Sequence, residues 1–211
     1  MTAKEKIPHI IKTLKDSYPD ALCQLRYEKD YELLFAVRLS AQCTDERVNM
    51  VAPVLFAAYP SLEALAGADT EDLERIVHSC GFYRAKARDI QAASAMLLES
   101  YGGKVPDTME ELLKLPGVGR KTANLILGDL YNKPGAIVVD THCIRITNLL
   151  GLVHTKIPEK IEAELRELLP PEESNDFCHR IVLHGRAVCV ANRPACGSCS
   201  LAPFCAHHTG A

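Results

Sequence analysis

LPGVGRKTAN at Leu115–Asn124 is the most informative stretch of this sequence. A second stretch, VVDTH, follows at Val138–His142. The first stretch predicts a turn that opens a helix, because Pro116 and Gly117 interrupt the chain between two apolar segments. Gly117 and Gly119 leave backbone N–H groups able to face a phosphate beside a helix N-terminus. Such a grip holds a nucleic-acid backbone without regard to base sequence. A turn that only joins two helices remains an alternative.

Two side chains in these stretches could carry chemistry, namely Lys121 and, nineteen residues later, Asp140. An amine nucleophile must lose its proton, and the neighbouring Arg120 and the helix N-terminus both disfavour the ammonium form. Lys121 could instead be one more phosphate contact. Asp140 could be a helix N-cap, and a capping carboxylate would also be held rigidly and ionised. Together the grip, the amine and the carboxylate indicate covalent chemistry on a nucleic acid.

Nearly the whole chain shows apolar residues at helical spacing, and no stretch of the sequence sustains strand alternation. Helices are predicted at 31–39, 48–59, 62–65, 84–101, 122–131, 140–150, 159–169 and 177–190, with further starts at 70 and 108 and an apolar stripe at 7–14. The apolar run Ala136–Val139 lies between a Pro-Gly turn and a helix cap, which favours an extended linker over a strand. The predicted class is all-α, with helix-turn-helix units packed around two cores.

Composition limits the class of protein. The chain has 211 residues, of which 47% are hydrophobic, and this suffices for one large domain or two small ones. The net charge of −3 means that any nucleic-acid surface must be local. Cations exceed acids at 114–133 and after Asp176. No apolar run reaches the length of a membrane span and no signal-peptide core is present, so we expect a soluble cytoplasmic protein without a membrane partner.

Four of the nine cysteines lie close together, in the spacing C-x6-C-x2-C-x5-C at Cys189, Cys196, Cys199 and Cys205. Four thiolates in such a loop bind either zinc or an iron–sulfur cluster. Structural zinc sites usually show two paired motifs, and only one close pair exists here. The spacing therefore favours one 4Fe-4S cluster, with zinc still open. The other cysteines lie in apolar or helical stretches and are predicted to be small core residues. Disulfides are not expected in a cytoplasmic protein.

These motifs resemble those of the endonuclease III group of the helix-hairpin-helix DNA glycosylases. The likeness rests on LSAQCTD at 39–45, the hairpin with Lys121, VDTH at 139–142, LHGR at 183–186 and the four-cysteine loop. It implies a two-domain all-α fold with DNA in a cleft between the domains. A helical barrel would span 22–133, with the helix-hairpin-helix at about 109–131. Residues 1–21 and 134–211 would form the cluster domain, with the cluster loop at 189–205.

The resemblance also implies a function: base excision repair by a bifunctional glycosylase and AP lyase that removes oxidised or ring-saturated pyrimidines from duplex DNA. Lys121 would form a Schiff base with the sugar, and Asp140 would assist it. DNA contacts are expected from Gln42, Phe82, Gly117, Val118, Gly119, Arg120, His142 and Arg193. The damaged nucleotide would flip out of the duplex, and Gln42 would fill the space it leaves. We expect a monomer that acts at the nucleoid if the source is bacterial.

Two departures from the family pattern stand out. Phe82 occupies a position where the family commonly has leucine, and Arg193 is the one cation in a cluster loop that often has more. A different class of function also stays open, namely a non-catalytic module that binds damaged DNA and carries a structural or redox cluster, because the hairpin and the cluster would serve it equally well. A glycosylase with shifted specificity, such as a mismatch-processing enzyme, is a further alternative.

Overall fold

Helices joined by turns make up the protein in the computed structural model, which describes residues 1–210 and has no β-strand within that range. The chain forms two units. One is Gln24–Tyr131, and the other combines Met1–Cys23 with the chain from Asn132 onward. Within the described residues, no helix has the length and apolar character that would let it cross a membrane.

The unit Gln24–Tyr131 is organised around helix α2. Its helices are α2 Asp30–Ser40, α3 Asp45–Ala58, α4 Leu62–Ala66, α5 Thr70–Val77, α6 Tyr83–Tyr101, α7 Met109–Leu112 and α8 Arg120–Asp129. Helix α2 packs against α3, α6 and α8, and its residues from Glu32 to Val37 are all buried. A helix that is buried on every side forms the centre of its unit. Helix α6 covers α4 and α5.

The second unit brings the N-terminus of the chain onto its C-terminal half. Its helices are α1 Ala3–Ser17, α9 Thr141–Leu150, α10 Pro158–Leu168, α11 Ser174–Ala187 and α12 Ala206–Thr209. Helix α1 packs against α10 and α11, and it buries Ile7, Ile10 and Leu14 at the spacing of one helical face. The Lys6 ammonium donates to the carbonyl of Leu150 at 3.0 Å in a buried position. This unit therefore depends on contacts between residues far apart in sequence.

Polar caps set the starts of many helices. The side chains of Thr44, Ser61, Asp69, Thr108 and Asp140 each accept a hydrogen bond from the backbone three residues later. These bonds satisfy N–H groups that have no partner inside the helix. Helix α8 begins at Arg120 rather than at the predicted position 122, because Gly119 takes the cap position with its φ at −103°.

The segment Ala136–Val139 is buried but has neither helix nor strand conformation. Instead of pairing with another strand, the backbone N–H of Val138 donates to the Cys178 sulfur at 3.3 Å. This segment leads directly into the cap of α9. It is the extended linker expected from the Pro-Gly turn before it.

Candidate active site and cysteine pocket

The hairpin between α7 and α8 is a tight turn that ends in a helix N-terminus. The backbone N–H of Val118 donates to the carbonyl of Leu115 at 3.1 Å, and Gly119 then caps α8 without any side-chain acceptor. Helix α8 buries Ala123, whereas Lys121 is exposed. The amine of Lys121 is therefore presented to solvent from the first turn of the helix. The positive end of the helix dipole lies at the same place.

Gly117 is required in this turn for two reasons. Its φ is +75°, in the left-handed region that favours glycine. A Cβ built there would lie 2.7 Å from Arg38 Nε and 2.7 Å from Asp89 Oδ2. Arg38 and Asp89 form an ion pair at 2.7 Å between α2 and α6, so the turn rests directly on that pair. The sequence contained no signal for this support, because the two partners are 51 residues apart.

Asp140 is the N-cap of α9, in the other unit. Its Oδ1 accepts from the backbone N–H of Cys143 at 2.7 Å, and the residue is half-buried. The buried Val138 and Val139 precede it. The carboxylate is therefore held between a packed segment and a helix start, so its orientation is restricted. Capping and a second role are compatible because only one carboxylate oxygen is used by this bond.

His142 lies in the first turn of α9 and packs against α11. A Cβ added to Gly185 would lie 2.3 Å from His142 Nδ1, so only glycine allows the ring this close. The guanidinium of Arg145 is 3.4 Å from the same nitrogen. These contacts give His142 a packing role, and its contact with DNA stays a prediction.

Gln42 and Phe82 share an unusual backbone. Both are exposed residues with left-handed conformations, at φ of 54° and 47°. Non-glycine residues in this region are strained, and such strain concentrates at functional positions. Phe82 is 65% exposed although its side chain is large and apolar. Its exposure agrees with a part in binding, and the role of each as a wedge in DNA stays a prediction.

The four predicted cluster ligands line a single pocket. Cys189, Cys196, Cys199 and Cys205 border it, together with apolar residues and His207 and His208. Burial raises the pKa of the Cys189 and Cys199 thiols, so a thiolate there requires a positively charged partner. In residues 1–210, no three His, Cys, Asp or Glu side chains are grouped as ligands of a single metal ion. A set of four cysteines suits an iron–sulfur cluster, which is held through four separate irons.

Two residues of helix α9, Arg145 and Leu149, contact the loop that forms the cysteine pocket. Neither residue was identified from the sequence. Arg145 Nη2 donates to the carbonyl of Cys189 at 2.6 Å, and the Cys205 sulfur donates to the carbonyl of Leu149 at 3.3 Å. On α11, His184 Nε2 lies 3.5 Å from the Cys199 sulfur. The helix capped by Asp140 is thus attached at two further points to the cysteine loop.

Comparison with known proteins places these features in one family. Residues 35–171 match the family model described as the HhH-GPD superfamily base excision DNA repair protein. The chain belongs to this superfamily. Among HhH-GPD relatives, the endonuclease III of Synechocystis sp. is 46% identical over 202 residues, covering 96% of this chain and 92% of the relative. That of Bacillus subtilis is 40% identical, covering 95% and 92%.

A solved HhH-GPD structure agrees with the whole fold. A trapped covalent intermediate of an endonuclease III with DNA matches at a TM-score of 0.93 and 40% identity, covering 100% of this chain and 99% of that one. These matches confirm the predicted endonuclease III family and the all-helical fold. They also confirm the enzyme class, a DNA glycosylase with AP lyase activity. The matched endonuclease III structure, and a second one at the same TM-score of 0.93, are complexes with DNA. They do not favour the non-catalytic alternative.

Proposed function

We propose that this chain removes oxidised or ring-saturated pyrimidines from duplex DNA and then cleaves the strand through a Schiff base on Lys121. The observation that carries the proposal is the exposed amine of Lys121 in the first turn of α8, directly after the glycine hairpin. A phosphate held at the hairpin would bring the neighbouring sugar to this amine. The approach of amine and sugar then becomes effectively intramolecular.

In this reaction the Lys121 nitrogen forms a bond to C1′ as the bond between C1′ and the base breaks. The base leaves with the electron pair and takes up a proton. Loss of the ring oxygen from C1′ opens the sugar and gives an imine with Lys121. Removal of a C2′ proton then breaks the C3′–O bond, and water hydrolyses the imine to release Lys121.

The Asp140 carboxylate has an electrostatic role in the same scheme. Positive charge develops on the sugar as the base departs, and a fixed carboxylate stabilises that charge without reorganising. The hydrogen bond from the Cys143 backbone holds Asp140 in one orientation. Its attachment to α9 supports a rigid carboxylate rather than a mobile one.

We propose that DNA is bound by phosphate contacts that do not depend on base sequence and by two side chains that enter the duplex. The phosphate contacts come from Gly117, Val118, Gly119, Arg120, His142 and Arg193. Gln42 and Phe82 occupy the space from which the damaged nucleotide is extruded. The exposed positions of Gln42 and Phe82 support this assignment.

The cysteine pocket holds one 4Fe-4S cluster, with Cys189, Cys196, Cys199 and Cys205 as ligands. Their common pocket supports a single site, and their spacing, with only one close pair of cysteines, supports the cluster over zinc. The cluster supplies structural cross-linking of the loop when bound. Purified protein should be brown and contain about four irons per chain, in keeping with the cluster type. A colourless protein containing zinc would contradict the assignment.

The catalytic pair lies in one chain, so no second copy is required and we propose a monomer. The named bacterial relatives are endonucleases, and their DNA substrate lies in the cytoplasm, where we also place this protein. Sedimentation of the protein with and without DNA tests the monomer.

Borohydride trapping tests the Lys121 assignment directly. Wild-type protein mixed with duplex DNA containing an abasic site should form a covalent adduct when the imine is reduced. Lys121→Gln should form none, because an amide nitrogen does not make this imine. Lys104→Gln is the matched control, since Lys104 is another exposed lysine in the same unit, and it should trap like the wild type. Undiminished trapping by Lys121→Gln would remove the lysine from the mechanism.

A further inference from the structure

Lys86 is a charged residue with no solvent exposure at all. Its Nζ donates to the backbone carbonyls of Leu39, Ala41 and Cys80, each at 2.8 Å. These bonds use all three donors of the ammonium group. Burial lowers the pKa of Lys86, because removing the ammonium group from water is unfavourable. An apolar side chain at this position would not have this desolvation penalty. A lysine is rarely buried in this way unless its charge is compensated by such partners.

The three carbonyls belong to two separate segments, namely the end of α2 with the loop that follows it, and the loop before α6. Leu39 and Ala41 lie at the end of α2, directly before Gln42. Cys80 ends the short 3₁₀ turn His78–Cys80, two residues before Phe82. Because one nitrogen atom bonds both loops, the carbonyl oxygens of Ala41 and Cys80 are no further apart than twice 2.8 Å. Lys86 thus fixes the spacing of the loops that carry the two exposed, left-handed residues.

A contact between cysteine side chains shows that the loops also meet directly. Burial, with the hydrogen-bonded Cys43 thiol beside it, raises the pKa of Cys80 to about 11. Cys43 directly follows Gln42 and Cys80 lies two residues before Phe82, so this contact joins the segments that carry the two residues. The left-handed backbone at both residues is unfavourable on its own and must be enforced by its surroundings. Lys86 supplies fixed hydrogen bonds at the base of each loop.

We infer that Lys86 is a positioning residue for base excision: its ammonium holds the loops of Gln42 and Phe82 at one spacing, so that both side chains enter the duplex at the damaged nucleotide together. This inference rests on the proposed function. Lys86 does not touch DNA in this scheme. It acts through the two loops, on the step in which the nucleotide is extruded.

The test compares two DNA substrates that differ in the free energy needed to extrude the nucleotide from the duplex. Unstacking costs least for a nucleotide that has already lost its base. The full chain with its cluster is given duplexes containing either dihydrouracil or a preformed abasic site, under single-turnover conditions. Lys86→Met should slow dihydrouracil excision about tenfold or more, but slow cleavage at the abasic site less than about threefold, since the chemical residues are intact. Lys104→Met, an exposed lysine in the same unit, is the control and should match the wild type.

A mutant cycle separates positioning from general destabilisation. If Lys86 acts through the loops, Lys86→Met should have little further effect in a Gln42→Ala/Phe82→Ala background, because coupled residues are non-additive. Fluorescence of 2-aminopurine opposite the abasic site should also rise less with Lys86→Met than with the wild type. Where Lys86→Met does not fold, Lys86→Gln enters the same cycle, since its amide keeps two donors for the carbonyls.

The possible results separate a failure of the positioning role of Lys86 from a failure of the proposed function. An active wild type with an equally active, folded Lys86→Met would overturn the positioning role alone. Equal losses on both substrates that add to those of Gln42→Ala/Phe82→Ala would also overturn it, by showing a purely structural role. A wild-type chain that neither excises dihydrouracil nor forms the borohydride adduct would overturn the proposed function, and the inference with it.

Discussion

Asp140 combines a structural and a proposed catalytic task in one carboxylate. It caps α9 through Oδ1, and asparagine caps helices about as well as aspartate does. We therefore expect Asp140→Asn to keep the melting temperature of the protein, because the cap survives. The rate of base release should fall about 100- to 1000-fold, as it does when one fixed electrostatic group is lost. Single-turnover excision and thermal unfolding measure the two effects.

Asp69 provides the control for this prediction. Its Oδ1 caps α5 by accepting from the backbone N–H of Asp72 at 2.9 Å. It has the same local role as Asp140 but no place in the proposed chemistry. Asp69→Asn should leave both stability and base release near the wild-type values. Normal turnover in Asp140→Asn would reduce Asp140 to a cap.

Helix α9 is the element that links the aspartate to the cysteine loop. Asp140 caps its N-terminus, and Arg145 holds the carbonyl of Cys189. Residues that hold metal ligands in place commonly contribute about 10- to 100-fold to metal affinity. Arg145→Met should therefore lose iron faster than the wild type on incubation with a chelator, as followed by the absorbance of the cluster.

The matched control is Arg166→Met on α10. Arg166 also donates to a backbone carbonyl, that of Gly135, but it does not border the cysteine pocket. Iron loss from Arg166→Met should follow the wild type. If Arg145→Met retains iron equally well, the contact with Cys189 does not stabilise the loop.

The packing of α3 against α5 includes a hydrogen bond that should respond to pH. The Tyr59 hydroxyl donates to Asp72 Oδ2 at 2.7 Å, and this bond, with a smaller effect of burial, raises the pKa of Tyr59 to about 12 from its ordinary value of 10.0. The folded state thus holds the phenolic proton more tightly than the unfolded state. The resulting stabilisation is complete below pH 10 and is lost as the pH rises toward about 12.

Tyr59→Phe tests this directly, since phenylalanine lacks the hydroxyl. The free energy of unfolding should be lower for Tyr59→Phe than for the wild type at pH 8, and the difference should shrink above pH 10. Urea unfolding at several pH values measures it, and other titrating groups cancel in the comparison. A difference that stays constant up to pH 11 would show that the bond to Asp72 does not stabilise the fold.

Across the molecule as a whole, the features that could be predicted from the sequence are those that depend on the local spacing of residues. Apolar periodicity predicted the helical class, and the cap at Asp140 was visible as Asp-Thr before an apolar helix. The sequence could not show that Gly117 rests on the ion pair of Arg38 and Asp89, or that Lys86 bonds two distant loops. Those contacts depend on how helices pack, and helical spacing carries no information about partners far along the chain.

Charge is the other property of the whole molecule that bears on function. The net charge is −3, and within the cluster loop Arg193 is the one cation, on a turn whose neighbours Ala191 and Asn192 are also exposed. Affinity for duplex DNA depends on phosphates neutralised locally, with the slope of log K against log salt changing by about 0.9 for each phosphate. A surface with few cations should therefore bind DNA with weak salt dependence.

Adding one cation to the cluster loop tests whether this surface meets DNA. Asn192→Lys should tighten binding to an abasic duplex at low salt and steepen the salt slope by about 0.9, provided that the new ammonium reaches a phosphate. Glu164→Gln on α10 raises the net charge by the same amount from an exposed position outside the predicted contacts. It should change the slope little, because distant exposed charges are screened. Equal slopes for both variants would mean that bulk charge governs binding and that the loop with Arg193 lies away from the DNA.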